Sequence, residues 1–219
     1  MIEPNQPLAD RYRAVVFDMD GLLLDTETLW QRAETDLFAR HGEEFTWDDK
    51  MQVIGSSFAH TADYFARRLG LPPERGAGLV DEMIGLMHGH LREQVAGRPG
   101  AVELVERLRG RTRLGLASNS PRHLVDTALA TAGITDAFDA IVTSDDVEHP
   151  KPAPDLYLLA CERLGVAPED ALALEDSSSG VTAAKAAGLT CIAVPQYAET
   201  DVSAADRVID SLEELLAET

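Results

Sequence analysis

Polar side chains with the potential for chemistry stand directly after several short apolar runs of this 219-residue chain. Carboxylates, a hydroxyl and an amide close three of these runs, namely Asp18, Asp20, Ser118, Asn119, Glu175 and Asp176. A few residues after a fourth run comes Lys151, in the sequence His149–Pro150–Lys151–Pro152. Because ligands of an open α/β sheet bind beyond the carboxyl ends of its strands, we expect these groups to converge.

Convergence of these carboxylates favours a bound cation. Three carboxylates at one point repel one another unless a cation joins them, and oxygen donors are the ligands that Mg²⁺ prefers. With Mg²⁺ in place, the acidic pocket becomes a receptor for a phosphate group. Lys151, the Ser118 hydroxyl and backbone N–H groups of the strand-end loops can then hold the phosphate oxygens.

Each of these groups also has an ordinary structural explanation when it is taken alone. An Asp-x-Asp pair such as Asp18 and Asp20 is often a polar turn after a strand. Lys151 between two prolines is typical of a protein surface, and Glu175 and Asp176 suit the N-terminus of a helix. Their joint occurrence at successive strand ends is what favours a functional site.

The elements that must position these residues alternate between strands and helices. Five apolar runs are typical of parallel strands that are covered on both faces; they are Ala14–Phe17, Arg113–Ala117, Ala140–Thr143, Ala171–Leu174 and Thr190–Val194. Helical patterns between them end at glycines, namely Gly133, Gly165 and Gly188. Ser120 and Pro121 are predicted as the N-cap and first residue of one helix. The pattern predicts an α/β fold with a doubly wound parallel sheet.

One long stretch interrupts this alternation. Residues 25–95 contain no strand-like run but carry four helical patterns. An insertion of this length is too long for a loop of a compact domain. We therefore expect an all-helical second domain at 25–95, inserted into an α/β domain made of residues 1–24 and 96–219.

Composition limits the partners and the compartment. The formal net charge of −19 argues against a nucleic acid or an anionic membrane as partner, because both are bound by clustered Lys and Arg. No apolar run is long enough to span a membrane, and the first residues lack a signal-peptide pattern. Cys161 and Cys191 form no disulfide framework. We expect a soluble cytoplasmic protein.

At this point the motifs resemble those of the haloacid dehalogenase superfamily. Residues 17–27, FDMDGLLLDTE, are similar to its first motif. Ser118–Asn119 resembles the second motif, Lys151–Asp155 the third and Glu175–Ser177 the fourth. The helical insertion is placed like the small cap domain of the branch that includes beta-phosphoglucomutase and many sugar-phosphate phosphatases.

The resemblance implies a role for each matching residue. Asp18 is the expected nucleophile, which forms an aspartyl phosphate, and Asp20 the general acid and then base. Ser118 and Lys151 are expected to bind the transferring phosphoryl group. The metal ligands implied for Mg²⁺ are Asp18, Asp20 through its backbone carbonyl, Asp176 and, directly or through water, Glu175. Pro150 departs from the family pattern, in which glycine often precedes the lysine, and we expect this loop to be set differently.

Two features favour phosphate ester hydrolysis over related reactions. Asp20 is absent from the dehalogenase motif, which argues against attack on carbon. A phosphomutase needs a fixed cation in the cap loop, and residues 55–60, GSSFAH, contain no Arg or Lys. Arg67 and Arg68 follow on what we interpret as a solvated helix face. A beta-phosphoglucomutase-like mutase, a phospho-accepting receiver domain and a non-catalytic phosphate-binding relative remain as alternatives.

The expected substrate is a small phosphate monoester. The first and second motifs look most like those of hexose-phosphate phosphatases, which favours a phosphorylated sugar or polyol. Substrate-binding candidates are Asn119 in the α/β domain and Glu27, Trp30, Ser57 and His60 in the insertion. Trp30 as part of the insertion's core and His60 as a surface residue are the structural alternatives. We expect a monomer.

Overall fold

The computed structural model describes residues 6–54 and 56–219, which form two compact units. The core unit comprises the chain up to Asp25 together with Val95–Thr219, and the helical unit comprises Thr26–Gln94. Each boundary differs by one residue from the boundary that the sequence suggests.

A single parallel sheet organises the core unit. Its strand order is β3-β2-β1-β4-β5-β6, with strands β1 Ala14–Phe17, β2 Arg113–Ala117, β3 Ala140–Val142, β4 Ala171–Glu175, β5 Thr190–Ala193 and β6 Arg207–Val208. The order reverses direction at β1, as in a doubly wound fold, so the predicted fold class is confirmed. The two-residue β6 was not predicted, because it is too short to show a pattern.

Helices connect the strands and form the inserted unit. In the described part of the chain they are α1 Leu8–Arg11, α2 Glu27–Arg40, α3 Trp47–Val53, α4 Phe58–Arg68, α5 Gly76–Glu93, α6 Ala101–Leu108, α7 Arg122–Ala132, α8 Asp155–Leu164 and α9 Ser178–Ala187. The helical unit contains α2 to α5. Among the described residues, none of the helices combines the length and the apolar character that a membrane crossing requires.

The sheet is buried on both faces. All four residues of β1 are fully buried. Ala14 and Val16 belong to an apolar cluster that includes residues of α8 and α9, while side chains of alternate residues point to the opposite face. On that face the ring of Phe17 packs edge-on against Phe138 at 6.1 Å. Burial of both faces explains why the strands read as continuous apolar runs rather than alternating ones.

Helix α7 begins later than the sequence predicts. Pro121 is its N-cap and Arg122 its first residue, so the prediction of Ser120 as N-cap is wrong. The Ser120 hydroxyl instead donates to the Asp20 carboxylate, as described below. The predicted ends of α7, α8 and α9 are confirmed, since a glycine in the left-handed conformation follows each helix.

An aromatic cluster forms the interior of the helical unit. The ring of Phe38 lies 5.0 Å from that of Phe45 and 5.2 Å from that of Phe65, both in edge-on geometry. Edge-on aromatic pairs stabilise a core beyond the area that they bury. Four helices with their own apolar interior give this unit a core of its own.

Two antiparallel segments of the core unit flank the insertion. Leu24 and Gly97 form a bridge, the Asp25 N–H donates to Ala96 O at 2.8 Å, and the Arg98 N–H donates to Leu23 O at 2.9 Å. The outgoing and returning chain therefore lie side by side where the insertion begins and ends.

Candidate active site

Lys151 occupies the centre of the site. The lysine is 4% exposed, and its ammonium donates to Asp18 Oδ1 at 2.6 Å, Glu175 Oε1 at 2.6 Å and Ala117 O at 2.8 Å. Asp18 follows β1, Ala117 ends β2 and Glu175 ends β4. Since these three strands are neighbours in the sheet, their carboxyl ends place all three acceptors around one ammonium group.

Glu175 is saturated with hydrogen bonds. Its Oε1 accepts from Lys151 and, at 2.7 Å, from the hydroxyl of Tyr157. Its Oε2 accepts from the Ser177 hydroxyl at 3.1 Å and from the Asp176 N–H at 3.2 Å. This fully buried carboxylate is therefore an anchor for Lys151. Sequence reasoning missed Tyr157, because its position on the apolar face of α8 reads as ordinary core.

Asp20 is held by two serine hydroxyls. Ser118 Oγ donates to Asp20 Oδ2 at 3.0 Å, and Ser120 Oγ donates to the same oxygen at 2.8 Å. The N–H of Ser120 in turn donates to Ser118 Oγ at 3.0 Å. The loop after β2 thus fixes the second carboxylate of the first motif. Ser120 was missed as a site residue, although its place two residues after Ser118 in a strand-end loop was the available signal.

Asn119 ties two loops of the site together. Its Oδ1 accepts from the Lys151 N–H at 2.9 Å, and its Nδ2 donates to Lys151 O at 3.2 Å. The side-chain amide therefore clamps the backbone of the lysine loop in the way that a strand neighbour would. With Pro150 in place of the usual glycine, the lysine still reaches Asp18.

Three carboxylates of the site fit a divalent cation. Asp18, Glu175 and Asp176 each offer an oxygen within 4.8 Å of the others. Asp18 Oδ2 is buried and has no hydrogen-bond partner among the described residues. A buried carboxylate oxygen without a donor is costly unless a ligand completes it. An all-oxygen set of this charge suits Mg²⁺, which prefers hard oxygen ligands.

The charges of the site are strongly coupled. Burial raises the pKa of Asp18 well above its usual value; Lys151 opposes this rise, while Glu175 and Asp20 reinforce it. Burial lowers the pKa of Lys151, but the adjacent Asp18 and Glu175 carboxylates outweigh burial and hold it above its usual value. One ammonium cannot neutralise all of these carboxylates, which is a further reason for a cation here.

Two glycines make room for the acidic groups. A Cβ at Gly180 would collide with the carboxylate of Glu175, and a Cβ at Gly21 would collide with that of Asp176. Gly21 also has φ of +83°, a conformation that side chains disfavour. These positions let backbone approach the carboxylates closely.

The candidates in the helical unit all have structural contacts within that unit. Glu27 Oε2 lies 3.1 Å from Lys50 Nζ, and the ring of Trp30 lies 6.0 Å from that of Phe58. Ser57 caps α4 by accepting from the N–H of His60 at 3.3 Å. Their roles in substrate binding stay predictions.

A phosphomutase would need a cation in residues 55–60 to hold a second phosphate. The described part of this segment, residues 56–60, contains no Arg or Lys. Ser56 Oγ donates to Val53 O at 2.8 Å, and Gly55 lies outside the described residues. Arg67 lies over the ring of Tyr64, and Arg68 is engaged by Asp49, Glu43 and Glu44. Both arginines thus have partners within the helical unit.

Curated relatives include bacterial phosphatases. Hexitol phosphatase B of Escherichia coli (strain K12) is 36% identical over 210 residues, which cover 93% of this chain and 94% of that protein. Protein SUPPRESSOR OF QUENCHING 1, chloroplastic, of Arabidopsis thaliana is 39% identical over 186 residues, covering 83% of this chain. The chain matches only 18% of the length of that plant protein.

Solved structures share the fold of this chain, and a family model matches most of its sequence. CbbY from Rhodobacter sphaeroides in complex with phosphate has a TM-score of 0.83 and 32% identity, covering 94% of this chain and 98% of that chain. A variant of CbbY in complex with xylulose-(1,5)bisphosphate gives the same values. The family model described as haloacid dehalogenase-like hydrolase matches residues 15–194. The chain belongs to the haloacid dehalogenase-like hydrolase family.

Proposed function

We propose that this protein is a Mg²⁺-dependent phosphatase that hydrolyses a small phosphate monoester through an aspartyl phosphate. The observation that carries the proposal is the buried Asp18 carboxylate, with one oxygen held by Lys151 and the other without a hydrogen-bond partner in the described chain. An oriented carboxylate with an open oxygen is suited to nucleophilic attack, and covalent catalysis splits one difficult step into two.

In the first step, an Asp18 oxygen attacks phosphorus and the bond between phosphorus and the leaving alcohol oxygen breaks. Asp20 donates its carboxyl proton to that oxygen, so the alcohol leaves neutral. The Ser120 hydroxyl, which donates to Asp20 Oδ2, orients the acid, so the single proton of the Ser118 hydroxyl can turn to a phosphoryl oxygen. Lys151 and the Ser118 hydroxyl offset the charge of the transferring group, which is where most catalysis of phosphoryl transfer arises.

In the second step, a water molecule attacks the phosphorus of the aspartyl phosphate. Asp20, now a carboxylate, accepts the proton of that water, and the bond between phosphorus and the Asp18 oxygen breaks. Inorganic phosphate leaves and both aspartates return to their starting states. One carboxylate two residues from the nucleophile thus serves both halves of the reaction.

Asp18, Asp176 and the backbone carbonyl of Asp20 are the groups that we propose for holding Mg²⁺. Glu175 is better suited to contact Mg²⁺ through a water molecule than directly, because its two oxygens already accept hydrogen bonds from protein groups. The cation supplies positive charge that offsets the clustered carboxylates and the phosphoryl oxygens.

A phosphorylated sugar or polyol is the substrate class that we propose. The names of two relatives support it, since one is a hexitol phosphatase and CbbY binds xylulose-(1,5)bisphosphate. Hydrolysis is favoured over a phosphomutase reaction because residues 55–60 contain no Arg or Lys for a second phosphate.

Steady-state kinetics with p-nitrophenyl phosphate and Mg²⁺ test the activity. We expect phosphate release that stops on addition of EDTA, and loss of turnover by at least about a thousandfold in Asp18→Asn. Asp63→Asn is the matched control, because it makes the same change on an exposed residue of α4. Turnover of Asp18→Asn near the wild-type rate would overturn the nucleophile.

Acid quenching during turnover tests the intermediate. With a substrate whose phosphate is labelled, we expect one labelled phosphoryl group per molecule of wild-type protein and none on Asp18→Asn. A stable phosphoprotein without phosphate release would instead indicate a receiver function.

A panel of phosphorylated hexitols, hexoses, glycerol phosphate, phosphoglycolate and nucleoside monophosphates, ranked by kcat/KM, tests the substrate class. A nucleotide as the best substrate would contradict the proposal of a sugar or polyol phosphate.

A further inference from the structure

Two short basic segments lie side by side at the amino ends of neighbouring strands. Arg11-Tyr12-Arg13 directly precedes β1, and Arg111-Thr112-Arg113 leads into β2. The Thr112 hydroxyl donates to Tyr12 O at 2.9 Å, and the Arg113 N–H donates to Arg13 O at 3.3 Å. These contacts join the two segments into one surface. Neither segment has a part in the proposed catalysis.

A cavity of about 480 Å³ opens on this surface, and all four arginines line it. The cavity is wide open to solvent, and its volume is large enough for a small anion. The chain as a whole carries 19 Lys and Arg against 38 Asp and Glu, so a cavity lined by four arginines is a local concentration of guanidinium groups. An acidic protein offers an anion few such places.

The charges of two of these arginines are not neutralised. Arg111 and Arg113 are exposed, and neither has a carboxylate within 4.0 Å among the described residues. The Arg113 guanidinium is held by the carbonyls of Leu164 and Gly165, which fix its position without cancelling its charge. Arg11, by contrast, is paired with Glu218, and Arg13 lies 3.9 Å from Asp170.

Two aspartates also line the cavity and limit what it can take. Asp10 and Asp139 are exposed, and Asp139 Oδ2 accepts from the Leu114 N–H at 2.8 Å. Carboxylates beside arginines disfavour a long polyanion but suit a compact anion that also carries hydroxyl donors. Guanidinium groups form paired hydrogen bonds with phosphate oxygens.

We propose that this cavity is a binding site for a compact phosphate dianion, either free phosphate or the phosphate of a small hydroxylated monoester, held by Arg111 and Arg113. The site is separate from the catalytic edge, because Asp18 and Ser118 follow the opposite ends of the same two strands. The length of β1 alone, four residues at about 3.3 Å each, separates them by about 13 Å.

The test is a titration followed by NMR of the arginine side-chain Nε–Hε groups. The probes are inorganic phosphate and 3,4-dihydroxybutyl phosphonate, which mimics a monoester and resists hydrolysis. We expect saturable shifts of Arg111 and Arg113 with a dissociation constant at or below about 1 mM. Tighter binding of the phosphonate assigns the site to monoesters, and tighter binding of phosphate assigns it to the free anion.

Variants separate this site from the catalytic one. Arg111→Gln removes an exposed guanidinium without an ion-pair partner in the described chain, and we expect it to weaken binding at Arg113 about tenfold or more. Arg75→Gln, an exposed control away from the cavity, leaves the binding unchanged. Shifts that do not saturate, or equal affinity in Arg111→Gln and wild type, would overturn the proposal.

Discussion

Each unit of this protein contains a buried lysine between two carboxylates, and only one of these clusters looks like a site. In the core unit Lys151 bonds Asp18 and Glu175 at 2.6 Å each. In the helical unit Lys50, 3% exposed, lies 3.1 Å from Glu27 and 3.0 Å from Glu34. In each cluster, one ammonium group thus lies between two carboxylates.

The clusters differ in where their carboxylates come from. Glu27 and Glu34 are two turns apart on the single helix α2, so Lys50 joins α3 to one face of it. Asp18 and Glu175 come from different strand ends, which bring Asp176, two serines and an open carboxylate oxygen to the same place. A buried lysine between two carboxylates can serve structure alone, as at Lys50. The further groups around Lys151 make that cluster a candidate for catalysis.

Replacing the first lysine has the largest expected effect. Lys151→Met removes the ammonium that offsets the transferring phosphoryl group, and we expect kcat/KM to fall at least about a thousandfold. The measurement is steady-state hydrolysis, corrected for folded protein by circular dichroism. A loss smaller than about tenfold would mean that the lysine is only a structural partner of Asp18.

Replacing the second lysine separates stability from activity. Lys50→Met leaves the buried Glu34 and the half-buried Glu27 without their cation, and we expect the free energy of unfolding to fall by about 3–5 kcal/mol. At a temperature where the variant is folded, kcat should stay within about fivefold of wild type, since that is about 1 kcal/mol of barrier. Urea titration and kinetics check both. Unchanged stability would contradict the comparison.

The helical cluster also predicts a pH dependence of stability. Burial raises the pKa of Glu34 to about 7, although Lys50 opposes the rise. The folded state therefore holds this proton more tightly than the unfolded state, whose value is 4.5. The resulting stabilisation is complete below pH 4.5 and is lost as the pH rises to about 7, which amounts to about 3 kcal/mol.

Glu34→Gln isolates this contribution. Relative to wild type, we expect the variant to gain about 3 kcal/mol of unfolding free energy between pH 4.5 and pH 8. Urea titrations at several pH values measure the difference. Glu74→Gln, on an exposed residue of the same unit, is the control and should follow the wild-type curve. Parallel curves for Glu34→Gln and wild type would refute the assignment.

Two tyrosine–carboxylate pairs give the smallest and sharpest contrast. Tyr157 donates to Glu175 at 2.7 Å beside the site, and Tyr64 donates to Asp49 at 2.6 Å in the helical unit. Each Tyr→Phe change should cost about 1.5–3 kcal/mol of stability, as expected for a hydrogen bond to a charged group. Only Tyr157→Phe should also lower kcat, by about tenfold, because Glu175 anchors Lys151. Equal kcat in the two variants would contradict that role.

Sequence patterns predicted the elements that have strong periodicity. The bounds of β1 and β2 were predicted to the residue, and the lack of strand-like runs predicted helices in the insertion. Helix α6 was not predicted, although its buried residues Ala101, Leu104, Val105 and Leu108 recur at helical spacing. The spacing of apolar residues predicts such elements because burial of one face of a helix or sheet is visible within the segment itself.

Contacts across the site were beyond the reach of such patterns. The sequence placed Asp18, Lys151 and Glu175 at strand ends, so their convergence followed from topology. The hydroxyl of Tyr157 carries no such signal, since it looks like a core residue of its helix, and the strand-end position of Ser120 was read as a helix cap. Their partners Asp20 and Glu175 are 100 and 18 residues away, and only the packed structure joins them.

The paired segments that flank the insertion have a consequence for engineering. Leu24 and Gly97 already face each other across an antiparallel bridge, where opposed Cα atoms are about 5 Å apart. A tight turn can therefore replace residues 26–94 without moving any strand of the sheet. The same two ends form a graft point for a foreign folded module whose own termini are adjacent. The sheet and its acidic edge can in this way be joined to a different inserted module.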